Sequence, residues 1–423
     1  MRIVIVAIGS RGDVQPNIAL GKGLAEAGHH VVLATHDEFL PLFEKFGFEF
    51  ASMKANPSDL LEKDTSQTLF ETGGNFLLFF KEFARLLEPM MRQFVMETLR
   101  ASENADLLIL SAVGGFGFHV AEKLDIPYCQ ALLQPFSPTR AFENPVFPQY
   151  PTWIPFGRGI YNYQSFLLFP RLYWQFIGRV MNKIRKEMGL KALNSKRLLR
   201  IMTNPDMGVL YGFSPSFIPP PPDWAPFNHI TGYWFLDTAS DWAPPRKLID
   251  FLDSGPPPVY IGFGSMRNRE PQKITDMAVK ALEKTRQRGI ILTGYGGLSD
   301  SDLPDYLFPV DTVSHDWLFP RVSAVVHHGG AGTTGAGLRF GKPTVIVPFL
   351  GDQPFWGRRV YKAGVGAKPI PRKHLTIENL AEAIGVITSD EDVNRRAATL
   401  GEKIRNEDGV KEAVRVVNQF VKK

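Results

Sequence analysis

The sequence predicts an α/β protein built from two doubly wound parallel-sheet domains. Three observations carry the prediction. Continuous apolar, β-branched runs such as residues 2–8, RIVIVAI, alternate with segments whose apolar residues recur at helical spacing. The alternation breaks at a proline-rich stretch after residue 213 and then starts again. At 423 residues the chain exceeds what one ordinary core accommodates.

Taken in order, residues 2–8 form a strand covered on both faces. The turn GSRGDVQP at 9–16 follows, then a helix carrying Ala19, Leu20, Gly23, Leu24 and Ala27, which Gly28 ends before the strand VVLAT. The βα alternation continues through ADLLILSA and DIPYCQAL to MGVLYGF. Two aromatic-rich helices interrupt it, at 75–99 and 153–180, and both are more apolar than a surface helix. The segment SPSFIPPPPDWAP opens an extended interdomain spacer over 214–245. Beyond it PPVYIGFGS, GIILTGYGG, VSAVVHHGG and KPTVIVPF supply the strands of a second sheet over 246–404. The expected division is therefore an N-terminal domain over 1–213 and a C-terminal domain over 246–404, facing each other across a cleft. A terminal amphipathic helix over 405–423, with Val410, Ala413, Val414, Val417 and Phe420 on one stripe, is expected to pack back on the N-terminal domain.

Composition narrows the function classes. A net charge of +5 is spread without a basic run, which argues against a nucleic-acid partner and suits an anionic substrate or a membrane surface. A single cysteine, Cys129, points to a reducing, cytoplasmic setting. The opening MRIVIVAIGSRGD reads as a buried strand rather than a signal peptide, and no apolar run is long enough to span a bilayer.

The densest chemistry lies in VVHHGGAGTTGAGLRFGKPTVIVPFLGDQPF, 325–355. Open α/β sheets bind ligands beyond the carboxyl ends of their strands. There Gly329, Gly330 and Gly332 let the backbone come close to a diphosphate, and a helix N-terminus favours its charge. Thr333 and Thr334 add hydroxyl donors, and His328 offers a ring N–H. A glycine-rich turn that merely packs a helix on a sheet accounts for the same residues. The GxxxxGK[ST] phosphate loop is absent, which argues against ATP or GTP hydrolysis. Asp352 and Gln353 pair acceptors with a donor, as vicinal sugar hydroxyls require; a helix cap explains the pair equally well.

These motifs resemble the UDP-dependent family 1 glycosyltransferases of the GT-B fold. HDWLFPRVSAVVHHGGAGTTGAGLRFGKPTVIVPFLGDQPFWGRRV is most similar to the sterol 3β-glucosyltransferase branch, and the resemblance runs through essentially the whole chain. It implies that His328, Gly330, Gly332 and Thr333 hold the donor diphosphate with Ser265 of GFGS, and that Asp352 and Gln353 hold the sugar. Plant members carry Trp-x-Pro-Gln over the uracil, where this chain has Val313, Ser314, His315, Asp316 and Trp317. The base contact stays open among Val313, Ser314, His315 and Trp317. Where plant members place a glutamate on the ribose, this chain has Ala336.

In the first domain, GSRGDVQP stands where plant relatives show Gly-His-x-x-Pro. By resemblance Asp13 becomes the general base for an acceptor hydroxyl, ionised at neutral pH as an ordinary aspartate is, with Ser10, Arg11 and Gly12 beside the donor. A helix cap is the competing role for Asp13. Phe76, Phe79, Phe80, Phe116, Phe156, Tyr163, Phe166, Tyr173 and Trp174 could wall an apolar acceptor groove, with His119, Gln134 and Phe136 after the strands; core packing is the alternative for each ring. Arg158, Arg171, Arg179 and Lys183 form a basic edge that could rest on lipid. The acidic strings DSD at 300–302 and DED at 390–392 read as solvated surface, so no metal and no cofactor is expected. The resulting expectation is an inverting transfer of glucose from UDP-glucose to a hydrophobic alcohol, sterol-like or a flavonoid or triterpenoid. A UDP-sugar epimerase or hydrolase, and a non-catalytic nucleotide-sugar or lipid carrier, are the rival readings.

Overall fold

The computed structural model describes residues 1–55, 76–151, 153–202, 208–237, 242–263, 271–293 and 304–421. The chain divides into two units, one of residues 1–215, 219–236 and 408–423, the other of 216–218 and 237–407.

The first unit carries a parallel sheet of β1 (Arg2–Val6), β2 (His30–Thr35), β3 (Glu49–Ser52), β4 (Leu107–Ser111), β5 (Tyr128–Leu132), β6 (Val209–Tyr211) and β7 (Asn228–Ile230), in the order β3-β2-β1-β4-β5-β6-β7. Its helices are α1 (Arg11–Glu26), α2 (Phe76–Ala101), α3 (Phe118–Leu124), α4 (Arg158–Glu187) and α5 (Ser195–Met202). Val4 pairs with Val32 on one side and Leu108 on the other, so β1 is central. One face of β1, through Val4 and Val6, meets Met91 and Phe94 of α2 and Ile177 and Met181 of α4. The other face carries Ile5 towards Gly21 of α1, where an added Cβ would stand 3.3 Å from the Ile5 Cδ1. Burial on both faces is why the strand reads as a continuous apolar run.

The helix α1 starts earlier than the sequence suggests. Ser10 is its N-cap, so the expected turn GSRGDVQP is the helix's own beginning. Gly28 ends it as expected: φ is +88°, and His29 N–H donates to the Leu24 carbonyl at 3.1 Å.

The second unit holds β8 (Val259–Gly262), β9 (Gly289–Leu292), β10 (Leu307–Val310), β11 (Ala324–His327) and β12 (Thr344–Ile346), parallel in the order β10-β9-β8-β11-β12. Its helices are α6 (Arg246–Asp253), α7 (Pro271–Lys284), α8 (His315–Leu318), α9 (Ala331–Arg339), α10 (Gln353–Lys362), α11 (Ile377–Ser389) and α12 (Glu391–Arg405). Val326 lies between Ile261 and Val345 in register, and the core gathers Val259, Ile261, Ile291, Val326 and Val345 beneath α7 and α11.

The last helix, α13 (Gly409–Val421), belongs to the first unit. An added Cβ on Gly23 of α1 would overlap the Val410 side chain and come within 3.2 Å of Val414. His29 Nε2 hydrogen-bonds Asn418 Oδ1 at 2.8 Å. The stretch 214–245 is not a free spacer: it contributes β7 to the first sheet, and Phe217 stacks on Trp356 in the second unit at 6.2 Å. Prolines hold this chain extended, and extended chain can join a sheet edge as readily as it can span a gap.

Each sheet has one topological switch point, where successive strands leave in opposite directions: between β1 and β4 in the first, between β8 and β11 in the second. Loops on either side of such a point splay apart and leave a crevice.

Candidate active site

At the first switch point, the β1–α1 loop meets the turn after β4. Ile8 N–H donates to Ser111 Oγ at 3.3 Å, and Gly114 N–H donates to the same oxygen at 3.2 Å. Gly114 has to be glycine, because a Cβ there would lie 2.5 Å from the Val6 carbonyl oxygen.

Asp13 stands at the third position of α1. Its Oδ2 accepts from both the backbone N–H and the hydroxyl of Ser10, each at 2.9 Å. The carboxylate is folded back over Gly9, whose φ of +128° and missing Cβ make the space; an added Cβ would fall 2.6 Å from Oδ2. Asp13 is therefore part of the helix cap and is half-buried beside the loop. The two roles weighed for it do not compete, since a cap that fixes the carboxylate also aims it. Ser10 is committed to Asp13, and the exposed Arg11 to Gln15 at 3.0 Å; Gly12 is exposed.

Ile8 of the same loop also lines an apolar recess with Ala55, Met90, Met91, Phe94, Val113 and Phe116. Of these only Phe116 is legible from the sequence. The methionines belong to α2 and Ala55 follows β3, so only folding gathers them. A ladder of rings leads from the recess: Phe94 to Phe116 at 6.2 Å, Phe116 to Tyr173 at 6.0 Å, Tyr173 to Phe169 at 6.1 Å, Phe169 to Phe136 at 6.0 Å. Phe136 thus joins Phe116 in one apolar wall. Gln134 Oε1 is buried and has no hydrogen-bond partner among the described residues.

Other expected acceptor residues lie elsewhere. Trp174 and Phe166 of α4 are buried, Trp174 in the core beneath the sheet. His119 is buried in α3, its Nδ1 2.8 Å from the Arg185 guanidinium, which also grips Glu122 with two bonds. Burial, and then the Arg185 charge, lower its pKa to about 3, so it is a neutral core imidazole. Phe156 is 78% exposed, and Tyr163 faces solvent beneath Arg140. These aromatic helices therefore pack as a layer on the sheet, because apolar faces at helical spacing are as useful under a sheet as over a ligand. Phe76, Phe79 and Phe80 fall in α2, but their side chains lie outside the described residues.

At the second switch point, β11 ends at His327 and the loop to α9 is His328, Gly329 and Gly330. Gly330 is the N-cap, and the first turn, Ala331, Gly332 and Thr333, presents backbone N–H groups with no carbonyl upstream to take them. Thr334 closes that turn: its N–H and its Oγ1 both donate to the Gly330 carbonyl, each at 2.9 Å. Its hydroxyl, expected on a phosphate, is buried in this internal bond, which leaves Thr333 as the half-exposed hydroxyl of the pair. The His328 ring folds over Gly330, where a Cβ would fall 2.6 Å from its Nε2. Burial lowers the His328 pKa to about 4, so it is neutral at physiological pH.

His327 was not expected to take part. It is fully buried, and its Nδ1 accepts the Gly329 N–H at 3.0 Å. That bond places the proton on Nε2 and holds Gly329 at φ +96°. Burial, then the neighbouring His328 and His315, push its pKa well down. The doubled histidine was the one signal that could have marked it.

The neighbouring strand β12 delivers the second motif. Gln353 Oε1 accepts the N–H groups of Phe349 at 2.8 Å and Leu350 at 3.1 Å, and Trp356 Nε1 donates to Asp352 Oδ2 at 2.8 Å. Both side chains thus brace their own turn; Asp352 stands at the N-cap of α10 without a side-chain cap bond, and Gln353 is buried, so the simple helix-cap alternative does not describe the pair. The two motifs touch: an added Cβ on Gly329 would sit 3.2 Å from the Gln353 carbonyl oxygen and 2.6 Å from Ile346 Cγ2. No side chain at position 329 would let the loops close together.

Ser314 stands at the N-cap position of α8, buried and without a side-chain cap bond, and Val313 before it is half-buried. His315 stacks on Phe319 at 4.4 Å with Tyr260 at its edge, and Trp317 packs on Trp242 at 5.1 Å and beneath Arg321. Ser265 and the string 300–302 lie outside the described residues. Asp390 of the other acidic string caps α12, accepting from the N–H groups of Asp392 and Val393. Among the described residues no cluster of three or more His, Cys, Asp or Glu could hold a metal.

Residues 3–143 match the glycosyltransferase family 28 N-terminal domain, and residues 290–419 the erythromycin biosynthesis protein CIII-like C-terminal domain. A sterol 3-beta-glucosyltransferase of Emericella nidulans is 39% identical over 99% of this chain, which spans 30% of that relative's length. One of Arabidopsis thaliana is 37% identical over 98% of the chain, which spans 65% of it. The chain thus covers less than two thirds of either relative. A solved glycosyltransferase of kitacinnamycin shares the fold, with a TM-score of 0.71 at 18% identity over 99% of both chains.

Proposed function

We propose that this chain, which matches these two domains and shares the fold of solved glycosyltransferases, transfers glucose from UDP-glucose to the hydroxyl of a sterol-like acceptor, with inversion and without a metal. Asp13 takes the acceptor proton. The acceptor oxygen then attacks the anomeric carbon, the bond from that carbon to the diphosphate breaks, and UDP leaves with the electron pair. The α9 N-terminus, Thr333 and the neutral His328 N–H stabilise the departing diphosphate, where backbone donors and the helix dipole supply the charge complement a cation would otherwise bring. Gln353 and Asp352 orient the sugar from the adjoining turn.

The observation that carries this reading is the apposition of Gly329 and Gln353, which joins a diphosphate cradle to a polar sugar turn. The lining of the small recess beside the Asp13 loop is wholly apolar, in keeping with a hydrophobic acceptor, and the relatives are named for transfer to a sterol.

Asp13→Asn tests it. Asparagine keeps an oxygen to accept from Ser10, so the cap survives, but it cannot take a proton. Turnover on a sterol should fall about 10²–10⁴-fold, with UDP-glucose affinity by calorimetry nearly unchanged and the rate indifferent to EDTA. Loss of affinity and of melting temperature together would make Asp13 a cap alone. Release of free glucose without acceptor at the full rate would make the protein a hydrolase.

A further inference from the structure

The exposed stripe of α4 changes character along its length. Helical spacing places Ile160, Leu168, Arg171, Arg179 and Lys183 on one side of the helix, and all five are exposed. Its N-terminal half is apolar and its C-terminal half cationic. Trp153 and Phe156, in the loop entering the helix, are 81% and 78% exposed, and Ile160 is 63% exposed. Single exposed apolar residues are ordinary, but two large aromatics and an isoleucine within eight residues form a patch.

The tip is firmly built. Tyr150 Oη donates to the Phe156 carbonyl at 2.6 Å, Tyr161 Oη to the Pro148 carbonyl at 2.7 Å, and Asn162 Nδ2 to the Arg140 carbonyl at 2.9 Å. The rings are therefore held out by a hydrogen-bonded loop rather than by a fraying end. The charge along this segment has one sign: from Asn144 to Lys186 the sequence carries six Arg and Lys and no Asp or Glu, and the nearby Asp223 is engaged by Thr139 and the Arg140 N–H. Glu187, which follows, is paired to Arg92 at 2.7 Å.

We infer that this face docks the protein on a bilayer with anionic headgroups. Trp153, Phe156 and Ile160 enter the interface, where an indole and a phenyl ring are favoured. Arg171, Arg179 and Lys183 lie along the phosphates behind them. The contact is peripheral, since no helix among the described residues is long and apolar enough to cross a membrane. The docking surface stands apart from the transfer reading. One consequence rests on that reading: Tyr173 of α4 touches Phe116 of the recess, so the docked helix backs the place where a lipid acceptor would enter.

Flotation of the full chain with phosphatidylcholine vesicles, with and without phosphatidylserine, tests this. The protein should float with phosphatidylserine vesicles and less so as salt rises. Trp153→Ala with Ile160→Ser should weaken partition roughly tenfold or more. Arg179→Glu with Lys183→Glu should remove the preference for the anionic lipid, at about fivefold per cation lost. Both pairs are exposed, and transfer to a water-soluble alcohol should be unchanged in each. Absence of flotation, or flotation that neither pair weakens, overturns the docking surface while leaving the transferase reading intact. A dimer in sedimentation velocity that Trp153→Ala dissolves would give the face to a second copy and overturn it too. Normal flotation with no sugar transfer would instead fault only the transferase reading.

Discussion

Gly330 and His328 occupy one space, with the imidazole lying where a methyl group on Gly330 would go. Gly330→Ala should therefore swing the ring off the α9 N-terminus and raise the KM for UDP-glucose about tenfold, the worth of one good hydrogen bond. Helix content by circular dichroism should not change. The pH behaviour follows from three histidines held neutral by burial: His119 at about 3, His328 at about 4, and His327 well below its usual value. Their unfolded counterparts take a proton near pH 6.5. The unfolded chain thus binds more protons below that point, so stability is complete above about pH 6.5 and falls as acid is added. Melting temperature should drop between about pH 7 and 5, and less steeply in His119→Gln, which keeps a partner for Arg185 but cannot titrate. Affinity for UDP-glucose should stay flat between about pH 6 and 8, because His328 is already neutral there.

Turns and helices show a second level, where a side chain proposed to meet the ligand also serves shape. Gln353→Ala removes the acceptor for two backbone N–H groups and should cost about 2 kcal/mol of stability by denaturant titration. Lost activity in that variant would report the turn as much as the sugar. Gln353→Glu retains the accepting oxygen and separates the two: near-normal melting with weakened sugar selection is the expected result. The same double use explains how far the elements could be read in advance. The strand β1, the end of α1 at Gly28 and the stripe of α13 were legible because buried faces leave a period in the sequence. The start of α1 was not, since GSRGDVQP reads as a turn until Ser10 and Asp13 are seen to cap each other. Nor was the destination of the aromatic helices, because periodicity marks an apolar face without saying what lies under it.

Across the whole molecule, the order of the chain and the order of the units differ. Residues 408–423 return to the first unit after the second is complete. A chain of residues 1–236 leaves Gly23 of α1 without Val410 and Val414. It should be less stable than the same chain with 408–423 joined to it, by a clear shift of the urea midpoint. The proposed donor site, in contrast, is local: His328, Thr333, Asp352 and Gln353 all lie within 237–407. The glycosyltransferase family was legible from these local motifs, since cradling a diphosphate demands bare backbone at fixed spacing. The acceptor recess was not, because Ile8, Ala55, Met90 and Phe116 come from four separate parts of the chain.

By itself, then, the sequence determined two parallel sheets, the glycine-rich cradle after β11, the Asp-Gln turn after β12 and the aspartate after β1. Each of these is written within a few neighbouring residues, where spacing alone fixes geometry. Tertiary structure alone decided that His327 orients the cradle, that Gly329 seats it against Gln353, that His119 and Trp174 serve the core, and that a recess opens beside Ile8. Those outcomes depend on which side chains meet across long separations, and burial and close contact are properties of the folded chain rather than of any segment of it.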